Sequence, residues 1–134
     1  MKRKAIILPI LLIFTMSSCF KNRQTEVEVI GGETERYVGK IEKNSNWSHG
    51  AEWLLLNVGN SRLHIDSIKS SCDCLELSYD SSMTAERRKY FPIRAIIQPE
   101  EGDTGIIYRE IDVYGNFSTS PLTLSIMGEI KTEE

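Results

Sequence analysis

Histidine is scarce in this chain: His49 and His64 are the only two among 134 residues, and there are only three cysteines. A hydrolase needs a nucleophile, a base and an orienting group that converge, or two carboxylates held at a set separation. Neither histidine has a recognisable context, and Ser81 and Ser82 lack a nucleophile-elbow motif. No glycine-rich loop of the kind that cradles phosphate is present. Basic charge is also short, with 16 Lys and Arg against 19 Asp and Glu. Beyond the first few residues the one basic cluster, Arg87-Arg88-Lys89, reads as a solvated turn. A surface for nucleic acid is therefore excluded, because phosphate-backbone affinity needs clustered positive charge. Beyond Phe14 no long hydrophobic run occurs, and no window carries a helical apolar stripe of useful length.

What is present begins with "MKRKAIILPILLIFTMSSCF". Lys2, Arg3 and Lys4 make a positive start, the apolar run from Ala5 to Phe14 is short for a membrane span, and small residues follow. Residues 1–18 read as a targeting segment. Met16-Ser17-Ser18-Cys19 resembles the lipobox of bacterial lipoprotein signal peptides, with Met16 where leucine is usual. That resemblance implies cleavage before Cys19, diacylglycerol on its thiol and acylation of the new amino group. More than one acyl chain, at about 0.8 kcal/mol per buried methylene, gives a stable anchor. The expected location is the bacterial cell envelope, lipid-anchored on the periplasmic or surface face. Removing residues 1–18 would leave 13 basic against 19 acidic residues.

About 116 residues remain, enough for one domain. Residues 19–34 read as the lipidated cysteine and a polar tether, 35–130 as the domain and 131–134 as a polar tail. Within the domain, "RYVGKIE", "AEWLLLNV", "SRLHIDSI", "CDCLELSY", "YFPIRAIIQ", "IIYREIDVY" and "PLTLSIMGEI" are short period-two or β-branched stretches. In the last, Leu122, Leu124, Ile126 and Ile130 share one face, and Thr123, Ser125 and Glu129 the other. Gly59-Asn60, Pro99, Gly102, Gly105, Gly115-Asn116 and Pro121 punctuate the stretches as turn residues. Strands at this spacing predict an all-β, immunoglobulin-like sandwich of about seven strands with Greek-key connections. Its expected core draws on Trp53 or Leu54, Leu56, Val58, Leu63, Ile65, Ile68, Ile93, Ile97, Ile111, Val113, Leu122, Leu124 and Ile126.

"LLNVGNSRLHIDSIKSSCDCLEL", then "YFPIRAIIQPEEGDTGIIYREIDVYGN" and "LTLSIMGEI", resemble an uncharacterised family of bacterial immunoglobulin-like domains common in lipoproteins of Bacteroides-type bacteria. That family is related in architecture to ciliary and sperm-protein repeats. Asn57, Gly59, Leu63, Ile65, Ser71, Cys72, Cys74, Gly105, Ile111, Val113, Asn116, Leu122, Ile126 and Gly128 carry the resemblance in order. Asp73 stands where glycine is usual between the cysteines, and "MTAERR" where a Pro-Gly turn is common. The resemblance implies a fold and an envelope location, and no reaction.

Three candidate sites follow. Cys72 and Cys74, in "SSCDCLEL", are open to three readings: structural residues, as buried thiols or a local disulfide; ligands of a soft metal; or a redox pair. In a regular strand they would share one face and Leu75 and Leu77 the other, so the strand must bulge or expose one pair. Cysteines two apart in extended chain lie near the upper limit of disulfide reach, and a bridge needs a bend. Such a bridge would be strained and easily reduced, while Asp73 disfavours the thiolate of either neighbour. His64, Met83 or Met127 could complete a soft-metal shell, without recognisable ligand spacing. Trp47, in the polar "EKNSNWSHG", is a candidate partner contact. Glu100, Glu101 and Asp103 read as a solvated acidic turn, since the alternating oxygen ligands of a calcium loop are missing.

The expectation is a non-enzymatic, lipid-anchored accessory, structural or partner-binding module without a cofactor. Its partners would be the membrane, through the lipid on Cys19, and an envelope protein or glycan. The alternative is a soft-metal-binding or thiol-redox protein using Cys72 and Cys74.

Overall fold

Alternating side chains need two sheets to bury them, and the chain supplies both. The computed structural model describes residues 23–42 and 49–131, so residues 1–18, Cys19 and Trp47 lie outside the described part. The described residues form nine strands: β1 (Val27–Val29), β2 (Glu35–Glu42), β3 (His49–Asn57), β4 (Leu63–Ser70), β5 (Leu75–Tyr79), β6 (Thr84–Ala85), β7 (Tyr90–Ile97), β8 (Gly105–Gly115) and β9 (Leu122–Lys131). Each of the seven expected stretches contributes a strand, and β1 and β6 are short additions. One sheet has the order β1-β3-β7-β5 and the other β2-β9-β8-β4-β6. From β2 to β8 every connection crosses between the sheets, the Greek-key winding of an immunoglobulin-like sandwich. All pairings are antiparallel except β2 on β9.

The core lies between the sheets. Trp53, Leu55, Leu63, Ile93, Ile111, Val113, Leu124 and Ile126 are fully buried, each burial stabilising the fold by about 1.5–3 kcal/mol against chain entropy. The phase of β3 differs from the sequence expectation. Leu54 and Leu56 are half-buried, Val58 is 47% exposed, and the inward row is Trp53, Leu55 and Asn57. The reason is Asn57. A polar residue counts as outward in an alternation, yet this one is buried with its hydrogen bonds met, which shifts the strand by one residue. Ile68 and Leu122 are partly buried against the core. The Trp53 indole N–H donates to the Thr34 carbonyl at 3.0 Å, fixing the chain where it turns into β2.

The sandwich also takes in residues expected as tether. Val27–Val29 pair with Leu55–Asn57, and Thr25, 2% exposed, bridges to Phe117. At the other terminus Lys131 belongs to β9 rather than to a tail.

Candidate functional site

Cys72 and Cys74 do not lie in a strand. β4 ends at Ser70 and β5 begins at Leu75, so the pair occupies the bend where the chain crosses from the five-stranded to the four-stranded sheet. This bend resolves the conflict over faces. It brings the two Cα atoms to 5.3 Å, and the sulfurs are joined as a disulfide. The Ser70 hydroxyl donates to the Cys72 carbonyl at 2.7 Å, and the Ser71 N–H donates to the Glu110 carbonyl at 2.9 Å. Gln98 N–H donates to the Cys74 carbonyl at 2.9 Å, tying the bend to β7. Cys74 is 6% exposed and Cys72 half-buried.

A soft-metal role does not fit this arrangement. Sulfurs bonded to each other are not thiolate ligands, and the described residues contain no group of three or more His, Cys, Asp or Glu able to hold a metal.

Sequence reasoning missed Arg109. On β8 it faces inward, in phase with Ile107 and Ile111, and reaches from the five-stranded sheet across the sandwich edge. Its Nε–H donates to Cys74 Sγ at 2.9 Å. Nη2 lies 3.2 Å from both carboxylate oxygens of Asp103, and Nη1 donates to the Tyr108 carbonyl at 3.1 Å. Asp103 is itself fixed, accepting the Glu100 N–H at 2.7 Å while its own N–H donates to the Glu100 carbonyl. Gly102, at φ +96°, supplies the left-handed residue this turn requires. The expected solvated turn is thus partly correct: Glu100 and Glu101 are at the surface, but the Asp103 side chain is only 17% exposed. No sequence signal links Arg109 to a cysteine 35 positions away.

A second cluster closes one end of the sandwich. Asn57 Nδ2 donates to the carbonyls of Ser61 (2.8 Å) and Ala85 (3.1 Å), and its Oδ1 accepts from Thr25 and Gly59. Asn116 Nδ2 donates to the carbonyls of Arg23 and Arg62, and its Oδ1 accepts the His64 N–H. Both asparagines use their amides to hold the chain together. A shallow polar cavity of about 360 Å³ lies beside Asn116, lined by Arg23, Asn60, Ser61, Arg62 and His64. Its Arg62 is paired with Glu86, so it is not a free cation.

The third feature is on the outer face of the five-stranded sheet. Met127 of β9 stands between Tyr37 of β2 and Tyr108 of β8 in one cross-strand row. Tyr37 is 60% exposed and Tyr108 43%, and Ile106, two residues before Tyr108, is 71% exposed. The Tyr108 hydroxyl and Ser125 Oγ are 2.8 Å apart. That contact explains why Ser125, expected on the solvent face, is buried there. One row away stand Glu35 and Glu110, and on the other side Lys40 and Glu129.

The two sheets, their winding and the bend between β4 and β5 define an immunoglobulin-like domain. The chain belongs to the family described as Protein of unknown function (DUF1573), whose model matches residues 30–130. No curated protein sequence matches it. Among solved structures, a protein of unknown function from Porphyromonas gingivalis W83 is similar over 86% of this chain and 51% of its own, with 18% identity and a TM-score of 0.68. The secreted serine protease VesC from Vibrio cholerae is similar over 81% of this chain and 24% of its own, with 9% identity and a TM-score of 0.55. The Vibrio cholerae VesB protease is similar over 81% and 32%, with 8% identity and the same TM-score. This chain thus spans about half the Porphyromonas protein and a third or less of either protease. Identities this low establish a shared fold alone.

Proposed function

We propose that this protein is a non-enzymatic, lipid-anchored module of the bacterial envelope that binds another envelope protein through the outer face of its five-stranded sheet. The observation that carries the reading is the row Tyr37, Met127 and Tyr108 with Ile106 beside it. Core packing does not account for these side chains, which point away from it. An apolar, tyrosine-rich centre ringed by charges of both signs is the anatomy of a protein interface, with rim charges setting orientation. Glu35, Glu110, Lys40 and Glu129 supply that rim. The anchor rests on the sequence, on the charged start, the apolar run and "MSSC". Trp47, between β2 and β3, remains a candidate contact from sequence.

Intact mass of the protein taken from membranes should show a chain beginning at Cys19 with added acyl mass, and Cys19→Ser should abolish it. A chain retaining Met1 contradicts the anchor. For the face, a photo-crosslinking residue at position 37 should give a discrete protein adduct in cells, and one at Arg94, on the opposite sheet, should not. The partner so identified should lose about tenfold or more in affinity for Tyr37→Ala. Equal adducts from both positions, unchanged affinity, or binding of glycan alone would refute the reading.

A further inference from the structure

We propose that the Cys72–Cys74 disulfide is an exchange-active electron acceptor for a dithiol, with Cys72 the sulfur attacked, Cys74 the leaving thiolate and Arg109 the group that stabilises it. The inference is independent of the Tyr37 face.

The argument starts from the mismatch between donor and acceptor. A disulfide sulfur is neutral and accepts hydrogen bonds weakly. The Arg109 side chain, only 17% exposed, nevertheless directs its Nε–H at Cys74 Sγ from 2.9 Å. The same geometry suits a thiolate far better, because a charge-assisted bond in a partly desolvated site gains strength that a neutral one does not. Arg109 therefore favours the reduced pair over the bridged pair. Asp103 is a positioning residue: held by the Glu100 backbone, it grips Nη2 and leaves Nε aimed at sulfur. Asp73, between the two cysteines, is exposed.

The two sulfurs differ in the way exchange requires. Cys72 is half-buried and can be approached, while Cys74 is 6% exposed beneath Arg109. A donor thiolate attacks Cys72 Sγ, forming a donor–Cys72 bond and breaking Cys72–Cys74, whose electron pair leaves on Cys74 beside the guanidinium. The donor's second thiol, on losing its proton, attacks the donor sulfur of that mixed disulfide and expels the Cys72 thiolate, which is protonated. The donor ends as a disulfide, oxidised by two electrons, and Cys72 and Cys74 end reduced by two. The donor class is a molecule or protein with a pair of adjacent thiols. A low-energy leaving thiolate speeds exchange and raises the reduction potential.

Two measurements on the full chain test this. In the first, the oxidised protein is exposed briefly to a labelled monothiol, free thiols are alkylated, and peptides are mapped. The adduct should sit on Cys72 and the alkyl group on Cys74; an adduct on Cys74 overturns the proposal, without the need of any variant. In the second, wild type, Arg109→Gln and Arg109→Lys are equilibrated in dithiothreitol redox buffers and the dithiol fraction counted. An opposite charge at contact shifts a thiolate equilibrium by about 1–3 decades. Arg109→Gln should therefore disfavour the dithiol about tenfold or more, about 30 mV for a two-electron couple, and Arg109→Lys should recover much of that. A change below about twofold for Gln, or a Lys variant no better than Gln, overturns the role of Arg109. Thermal unfolding of each oxidised variant verifies that the compared species are folded.

Discussion

Thr25 donates its hydroxyl to Asn57 Oδ1 at 2.6 Å, a side-chain bond between two buried residues 32 positions apart. It joins the segment ahead of β1 to the end of β3 and makes that segment part of the domain. Asn57 completes its pairing with the backbone at Gly59, Ser61 and Ala85. A buried amide is tolerable only when so satisfied.

Thr25→Val removes one of the two donors to Asn57 Oδ1 and leaves the Gly59 N–H in place, so it should cost about 0.5–1.5 kcal/mol. Asn57→Leu strands two carbonyls, the Gly59 N–H and the Thr25 hydroxyl, and should cost about 3 kcal/mol or more. Urea unfolding with an unchanged slope would measure both.

The phase of β3 gives a paired prediction. Leu55 is fully buried and Leu56 is not. Leu55→Ala should destabilise by about 2–5 kcal/mol, and Leu56→Ala by under about 2 kcal/mol. A larger loss for Leu56→Ala than for Leu55→Ala would mean that β3 is shifted by one residue.

At the same end, Gly59 lies against the segment that Thr25 begins. A Cβ there would meet Thr25 Cα at 2.9 Å, together with the Thr25 hydroxyl and the Glu26 nitrogen. Backbone cannot yield as a flexible side-chain tip can. Gly59→Ala should destabilise by about 1–3 kcal/mol, with faster amide exchange at Thr25 and Val58, whose N–H groups bond across this contact to Asn116 and Glu26.

Asp80 gives a pH dependence. The Ser82 N–H donates to its carboxylate at 2.8 Å, and with the Ser82 side chain holds the acid below its ordinary value of 3.8. The depressed value means that the ionised form supports the fold: its contribution is present above 3.8 and is lost as pH falls through the lower folded value. A carboxyl NMR titration should place the Asp80 midpoint below 3.8, and Ser82→Pro, which removes the N–H, should raise it.

Much of the fold was legible in local pattern. Period-two alternation placed the seven longer strands, and Gly59, Gly102 and Gly115 marked turns, because strand pleat and turn dihedrals are local properties of the chain. The compositional limits were equally direct, since two histidines and an acidic balance are facts of the sequence itself. The bend that a Cys72–Cys74 bridge requires could be stated in advance from backbone reach. Contacts distant in sequence could not. The inward turn of Asn57 depends on donors and acceptors at Thr25, Ser61 and Ala85 that only the folded end brings together. The placement of β1 depends on an edge of β3 left open for pairing. Arg109 meets Cys74 because β8 and β5 belong to different sheets that face each other at that edge. Alternation tells which side of its own strand a residue occupies; which residue lies across from it is settled only when the sheets pack.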